Sequence, residues 1–560
     1  MIPAPAARRA AALARFGSVE FDLLVVGGGA TGAAVTRDAA LRGLSVALCE
    51  AGDFAGETSS RSSKLIHGGL RYLQYGDLRL VFEGLRERRR LLDAAPHLCR
   101  PIEFVFPAYR GERPGLATLA AGIRLYNALA LWRPPTHHRR LEPHELYRVA
   151  PHLRAAGLAG GETYVDCQTD DVRLVLENVL DAEQAGATVA NHLAAKAPLR
   201  DGRGRVRGVH LVDAESGAHF EGRARLVVSA TGPFTDSFLG AGHPSANDAT
   251  PKLRPTLGVH LVFDADRVPH GERALVLRSP RDNRLFFVLP AGPRTIVGTT
   301  DTDWPGGGDG DRSPRLGEPI GARLDDVTYL LEAANHAFPD LRLDADDVLS
   351  TFAGLRPLLA TTANTPSETS REHEIGRTRD GILFIVGGKL TTMRRMGEEA
   401  VDSAIEALRA AGLEREVGPC VTVDRPLPGA GDEPAALGDH ELADDVRARL
   451  RQAYGARAAA VTAVFAEGAD LARRMDPELP YLWAEVVHAV RHEHARDVAD
   501  VLTRRVPLFR DARDQGLAAA ERTALIVGEE LGWSPGRRQQ AVGDYRSAVE
   551  ISRRWRATFD

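Results

Sequence analysis

The chain has 560 residues, 44% hydrophobic and 26% charged, a length at which two or three domains are expected and a balance that argues against a disordered protein. Its 71 basic and 76 acidic residues give a net charge of −5, so no broad basic face for nucleic acid is expected. The cysteines Cys49, Cys99, Cys167 and Cys420 form no C-x-x-C pair; neither a zinc site nor a disulfide framework is indicated, and a reducing cytoplasmic location fits.

The first twenty residues set Arg8, Arg9 and Arg15 among alanines and lack the apolar centre of a secretion signal. Phe21 to Val26 reads as a short strand that stops at Gly27-Gly28-Gly29-Ala30-Thr31-Gly32, and the small-residue stretch Ala33 to Arg42 reads as a helix. In such a turn Gly27 permits the sharp bend, Gly29 lets backbone approach a pyrophosphate, and Gly32 lets the helix pack closely on the strand. The phosphates, with Thr31 beside them, sit at the positive helix N-terminus. A second strand, Leu44 to Cys49, ends in Glu50, an acid suited to the two hydroxyls of an adenosine ribose. This unit marks a dinucleotide site and leaves FAD and NAD open.

Further along, Leu116 to Trp132 is apolar but broken by Arg124 and Asn127, and no stretch reaches the ~20 charge-free apolar residues of a spanning helix. It reads as a buried or half-buried helix, with docking at a membrane interface as the alternative. Asp171 to Gln184 reads as a helix feeding the short strand Ala187 to Ala190, and Leu226 to Ala230 as a strand ending at Thr231-Gly232. Gly258 to Phe263, Leu285 to Leu289 and Thr295 to Gly298 read as strands of a second sheet, Pro305 to Pro314 as a surface loop and Val327 to Phe338 as a helix. Asp301 reads as a turn residue closing a strand rather than a catalytic acid.

Gly381 to Val386 is another strand ending in glycine, and it enters a helix through Gly387-Gly388-Lys389-Leu390-Thr391-Thr392. Backbone N–H groups there can stabilise negative charge on a reduced flavin ring. A cofactor-facing return so far downstream favours flavin over nicotinamide. After Pro426-Leu427-Pro428-Gly429 the composition turns helical, as in Glu441 to Tyr454, Tyr481 to His494 and Ala518 to Leu531. His488, His492 and His494 read as helix side chains, and no metal is expected.

The block Thr58-Ser59-Ser60-Arg61-Ser62-Ser63-Lys64-Leu65-Ile66-His67-Gly68-Gly69-Leu70-Arg71-Tyr72-Leu73 resembles the signature of FAD-dependent glycerol-3-phosphate dehydrogenases. The resemblance continues through Tyr164-Val165-Asp166, Asp170-Asp171-Val172-Arg173-Leu174, Gly258-Val259-His260, Gly298-Thr299-Thr300-Asp301, Gly354-Leu355-Arg356-Pro357 and Gly387 to Thr392. It implies an α/β protein in three parts: a discontinuous Rossmann-like FAD domain over 1–75, 155–235 and 350–405; a substrate domain with a β-sheet over 76–154 and 236–349; and a C-terminal helical domain over 410–560. It implies oxidation of sn-glycerol 3-phosphate to dihydroxyacetone phosphate, hydride going to flavin N5 and electrons on to quinone at the cytoplasmic face of the inner membrane. An oxidase that uses O2 and releases hydrogen peroxide is the alternative in the same fold. The reading allows a peripheral membrane contact and a homodimer.

A phosphate monoester carries close to two negative charges, and arginine forks match its oxygens while lysine adds a point charge. The candidates in matching motifs are Arg71, Arg356, Arg371 and Lys389, with Tyr72 adding a hydroxyl; Arg371 departs from the family's Arg-Asp-Tyr, being followed by Glu372-His373. Loss of the alcohol proton needs a base, and His67 and His260 both have the right chemistry, beside a catalytic role for Arg356. Either histidine also reads as a structural hydrogen-bonding group or a flavin contact. The polar loop Thr58, Ser59, Ser62, Ser63 and Lys64, with His67, Gly232, Gly388, Lys389, Leu390 and Thr391, is suited to lining the flavin and its phosphates, as the resemblance also suggests.

Overall fold

The computed structural model describes residues 4–131, 137–240, 252–305, 313–360, 372–431, 437 and 441–558, with 71, 74, 75 and 558 described by backbone alone. The chain opens with α1 (Pro5–Ser18), then β1 (Phe21–Val26), α2 (Ala30–Leu41) and β2 (Val46–Cys49). Every residue of β1 is buried: Leu23 and Val25 pack on helices, and Phe21, Leu24 and Val26 on Val209 and Leu211 of the strand Val206–Asp213 and on Phe16 of α1. Strand β1 pairs in parallel with β2 on one side and with the end of His219–Ser229 on the other. Around it the sheet runs His373–Arg377, Leu383–Gly387, His219–Ser229, β1, β2, Thr188–Ala190. The edge strand His373–Arg377 is antiparallel. Helix α2 is built of small residues because it is squeezed between neighbours: a Cβ on Gly397 of the helix Met393–Ala410 would lie 2.8 Å from the Ala34 backbone.

A second, ten-stranded and mostly antiparallel sheet lies beside the first. Its order is Thr302–Asp303, Thr256–Asp264, Arg294–Gly298, Leu285–Ala291, Ala274–Arg278, Arg100–Tyr109, Leu158–Gln168, Leu65–Ile66, with Ser350–Arg356 also on Thr256–Asp264 and Arg139–Leu141 also on Leu158–Gln168. The two-residue strand Leu65–Ile66 pairs with Gln168 and Cys167, so the chain crosses between the sheets there. The polar loop before it and the glycine pair after it are thereby held at the seam. Leu158–Gln168 and Ser350–Arg356 belong to this sheet, although the segment boundaries at 155 and 350 group them with the nucleotide domain. Their partners, such as Phe104 for Tyr164 and Gly258 for Gly354, are remote in sequence, and local pattern carries no signal of that pairing.

The C-terminal helices Asp444–Tyr454, Trp483–His492, Leu517–Leu531 and Pro535–Arg553 share a core of their own. Helix α1 has no counterpart in the sequence expectations. It is fixed by Phe16 packing on Phe21, at 6.0 Å between ring centroids, and by Arg9 donating to the Asn191 carbonyl at 2.8 Å. Of the expected loop Pro305 to Pro314, residues 306–312 lie outside the described residues. Among the described residues no helix is long and apolar enough to cross a membrane.

Candidate active site

The turn between β1 and α2 has the geometry its glycines require. Gly27 has φ of +104°, and a Cβ there would lie 2.5 Å from the Ala230 oxygen; one on Gly32 would lie 1.8 Å from the oxygen of Gly27. Gly29 precedes α2 and makes room for Ser59, whose Oγ accepts from the Ala30 N–H at 2.9 Å. Glu50 accepts from the N–H groups of Gly28 at 2.6 Å and Gly52 at 2.8 Å. Burial raises the Glu50 carboxyl above its usual range, against the pull of those two donors.

These groups line a cavity of about 410 Å³ that collects Gly27, Gly29, Thr31, Glu50, Thr58, Ser59, Ser62, Gly232, Gly388, Lys389 and Leu390. At its far end Gly387 and Gly388 are both left-handed, with φ of +77° and +83°, and a Cβ on Gly388 would lie 2.4 Å from the Met396 sulfur. A cavity lined by a strand-end acid, a helix N-terminus and a second glycine turn fits a flavin dinucleotide. Of the expected cofactor residues, Gly32, Ser63, Lys64, His67 and Thr391 are absent from this wall. Thr391 is buried and accepts from the His67 N–H at 3.1 Å. Ser63 binds His260, and Lys64 pairs with buried Asp171, which also accepts from Ser62 Oγ at 2.7 Å. Lys64 is therefore tied to the helix Asp171–Gln184 and is absent from the cavity wall.

A second cavity, of about 320 Å³, lies against the ten-stranded sheet and is lined by Ser63, His67, Tyr72, Arg284, Thr299 and Arg356 among apolar Leu70, Phe106, Leu119, Val276 and Phe287. Arg356 ends the strand Ser350–Arg356; its Nη1 donates to the Thr300 oxygen and to Asp301 Oδ1, each at 3.0 Å, and its Nη2 to Thr299 Oγ1 at 2.8 Å. Lys389 Nζ stands 3.7 Å above the Tyr72 ring, so a residue of the first cavity touches one of the second. Arg71 falls in the turn Leu70–Tyr75, where only its backbone is described, and Arg371 lies outside the described residues.

The two histidines separate clearly. His67 is on the cavity wall, and its loop hangs from a buried network: the Gly68 N–H donates to Tyr126 Oη at 2.8 Å, Tyr126 to Asp166 at 2.7 Å, and Arg88 to Asp166 at 2.6 Å. His260 is 1% exposed, stacked on Phe352 at 4.5 Å, with Nε2 2.9 Å from Ser63 Oγ. Burial, with Arg356 and Lys64 nearby, holds its imidazole well below its usual range and hence neutral.

Sequence reasoning missed Arg284, whose Asp282-Asn283-Arg284 context reads only as a turn, and the role of Asp301, which is buried against both arginines. Tyr164-Val165-Asp166 did carry a signal for the Asp166 anchor through the family block. His488 and His492 stack at 4.6 Å. The described residues hold one trio with metal-binding side chains close together, Asp53, His192 and Asp500. Arg504 and Arg505 pair with Asp53, and Arg504 with Asp500, which makes it an ion-pair network.

Comparison with known proteins agrees with this geometry. The family described as FAD dependent oxidoreductase matches residues 22–403, and the C-terminal domain of alpha-glycerophosphate oxidase matches 420–538. Glycerol-3-phosphate dehydrogenases of a Synechocystis species and of Mycobacterium leprae are 34% and 37% identical, over 95% and 97% of this chain and 96% and 90% of theirs. The crystal structure of glycerol-3-phosphate dehydrogenase from Bacillus halodurans complexed with FAD superposes with a TM-score of 0.77 at 28% identity, covering 98% of each chain. Similarity of this extent, over both the flavin and the C-terminal parts, places the chain in the FAD-dependent glycerol-3-phosphate dehydrogenase family, with FAD as its cofactor.

Proposed function

We propose that this protein oxidises sn-glycerol 3-phosphate to dihydroxyacetone phosphate and that its electrons pass to a quinone. The observation that carries the reading is the meeting of Arg356, His67 and Tyr72 on one cavity wall, with Lys389 bridging from Tyr72 to the flavin cavity. Bound FAD supplies the two-electron acceptor for the carbinol C–H.

The rest of the work falls to side chains. Arg356, supported by Lys389, holds the phosphate oxygens by charge-assisted hydrogen bonds. An imidazole nitrogen of His67 takes the hydroxyl proton as the C–H bond breaks, so that the carbinol becomes a carbonyl. His260, neutral and enclosed, fixes the Ser63 hydroxyl at the same wall. Apolar Leu119, Phe106 and Phe287 exclude water from the reacting carbon.

Quinone as acceptor, at the cytoplasmic face of a membrane, is supported by exposed apolar side chains on two helices. The helices Leu78–Ala94 and Leu116–Leu129 pack together and carry Leu78, Phe82 and Leu125 at 45%, 38% and 43% exposure, with Leu131 at 55% just beyond. Leu119 of the second helix lines the substrate cavity. Exposed apolar side chains on a helix that also reaches the cavity suit contact with lipid, from which a quinone can enter.

The test is the visible flavin spectrum. Glycerol 3-phosphate added without oxygen should bleach it, and a short-chain quinone should restore it faster than air does. Failure to bleach removes the substrate; rapid reoxidation in air with stoichiometric hydrogen peroxide replaces the quinone by O2.

A further inference from the structure

Asp301 has the local sequence of a turn, and the fold gives it a second task. Its side chain is fully buried. Oδ1 accepts from Thr256 Oγ1 at 2.7 Å and from Arg356 Nη1 at 3.0 Å, while Oδ2 lies 3.0 Å from Arg284 Nη2. The Asp301 carbonyl also accepts from Arg284 Nη1 at 3.3 Å. Arg356 closes one strand of the substrate sheet, and Arg284 directly precedes another, Leu285–Ala291. One carboxylate thus holds two guanidinium groups that start on different strands, and both line the cavity with His67 and Tyr72.

Three further features fit this arrangement. A Cβ on Gly258 would lie 2.3 Å from Arg356 Nη2, so glycine there makes room for the guanidinium. Two arginines against one carboxylate leave this part of the wall with net positive charge. The Arg284 Nε–H is buried, so the Nη groups of this guanidinium are the ones left to meet a ligand in the cavity.

We propose that Arg284 is a second phosphate-binding arginine and that Asp301 is the positioning residue that sets its spacing from Arg356, so that the cavity selects a phosphate dianion over a neutral polyol. This rests on the substrate reading above. Guanidinium forks recognise two oxygens each, and a pair held by a common carboxylate is already arranged before the ligand arrives. The ion pairs to Asp301 also prevent either arginine from folding back onto the protein surface when the cavity is empty.

The experiment compares the wild-type holoenzyme with Arg284→Gln, Arg284→Lys and Asp301→Asn. In Arg284→Gln the KM for glycerol 3-phosphate should rise about 10- to 100-fold, the loss expected for a charge-assisted hydrogen bond. The kcat should change by only a few-fold and the flavin should stay bound. Arg284→Lys should recover part of that loss. Asp301→Asn should raise KM in the same direction. The wild-type KM should climb below about pH 6, where the phosphate becomes a monoanion, and that climb should be shallower in Arg284→Gln. A purely structural role would lower flavin content without changing this pH profile.

Calorimetric binding of inorganic phosphate tests the site without turnover: the Kd should weaken by a similar factor in Arg284→Gln. A wild-type KM, phosphate Kd and pH profile in a flavin-loaded Arg284→Gln enzyme would overturn the proposal. So would a wild-type holoenzyme that binds no phosphate. Weakened phosphate binding in an enzyme that glycerol 3-phosphate fails to bleach would instead uphold Arg284 and sink the substrate reading.

Discussion

Two histidines with the same intrinsic chemistry occupy different environments here. His67 borders the second cavity, while His260 is enclosed between Phe352 and Ser63. His67→Gln should therefore lower kcat by about 10²-fold or more, the usual loss for a general base, with flavin content unchanged; stopped-flow reduction of the flavin measures it. Among the C-terminal histidines, burial and neighbouring His488 push His492 down to about 4 from 6.5. The unfolded chain then binds the proton more readily than the folded one. Stability from this group is intact above pH 6.5 and is lost as pH falls toward 4. The acid-side fall in Tm should accordingly be shallower in His492→Gln, as scanning calorimetry between those pH values would show. The motif identified both His67 and His260, but it carried no sign of which one the packing would enclose.

At the scale of elements, the flavin cradle depends on backbone more than on side chains. Separate segments meet at it, among them the turn into α2, the loop that brings Ser59 to the N-terminus of α2, the Thr231-Gly232 turn and the Gly387-Gly388 turn. Gly32→Ala would set a methyl 1.8 Å from the oxygen of Gly27, forcing α2 away from β1. Overpacking of this kind costs about 1–3 kcal/mol, and the same shift displaces the N-terminus of α2 at the cavity wall. Flavin affinity should drop by roughly tenfold or more, read from the ratio of flavin to protein absorbance after dialysis. This element was legible in the sequence because strand, glycine turn and helix are contiguous. Asp171 to Gln184 was read at the bounds the helix has. The strand expected at Leu226 to Ala230 in fact starts at His219, since its first half is organised by an antiparallel partner, Val206–Asp213, that local periodicity does not reveal.

At the scale of the molecule, the C-terminal helices are bolted to the nucleotide domain. Asp53, three residues beyond Glu50, accepts from Arg504 Nε at 2.5 Å and from Arg505 Nη2 at 2.8 Å, and also pairs with Arg505 Nη1. The next residue, Phe54, packs on the glycine turn, where a Cβ on Gly28 would lie 2.6 Å from its ring. Arg173 extends the same junction, with its Nη1 at 2.5 Å from Glu493 and its Nη2 donating to Tyr454 at 2.9 Å. Removing one partner of such a buried pair costs about 3–5 kcal/mol because it strands the other charge. Arg505→Met should lower Tm and loosen flavin, so that both the melting curve and flavin release on dilution shift together. Melting that shifts while flavin stays as tightly held as in wild type would confine the junction to a purely structural role.

What the sequence determined by itself was whatever contiguous residues encode: the α/β class, the dinucleotide turn, the Asp171–Gln184 helix and the family blocks that carry His67, His260, Arg356 and Lys389. Tertiary structure alone decided the rest. It placed Leu158–Gln168 and Ser350–Arg356 in the ten-stranded sheet, enclosed His260, tied Lys64 to Asp171, and joined Arg284 to Arg356 through Asp301. The physical reason is common to all four. Strand pairing, desolvation and ion pairing depend on groups brought together from distant parts of the chain, and no local window contains both partners.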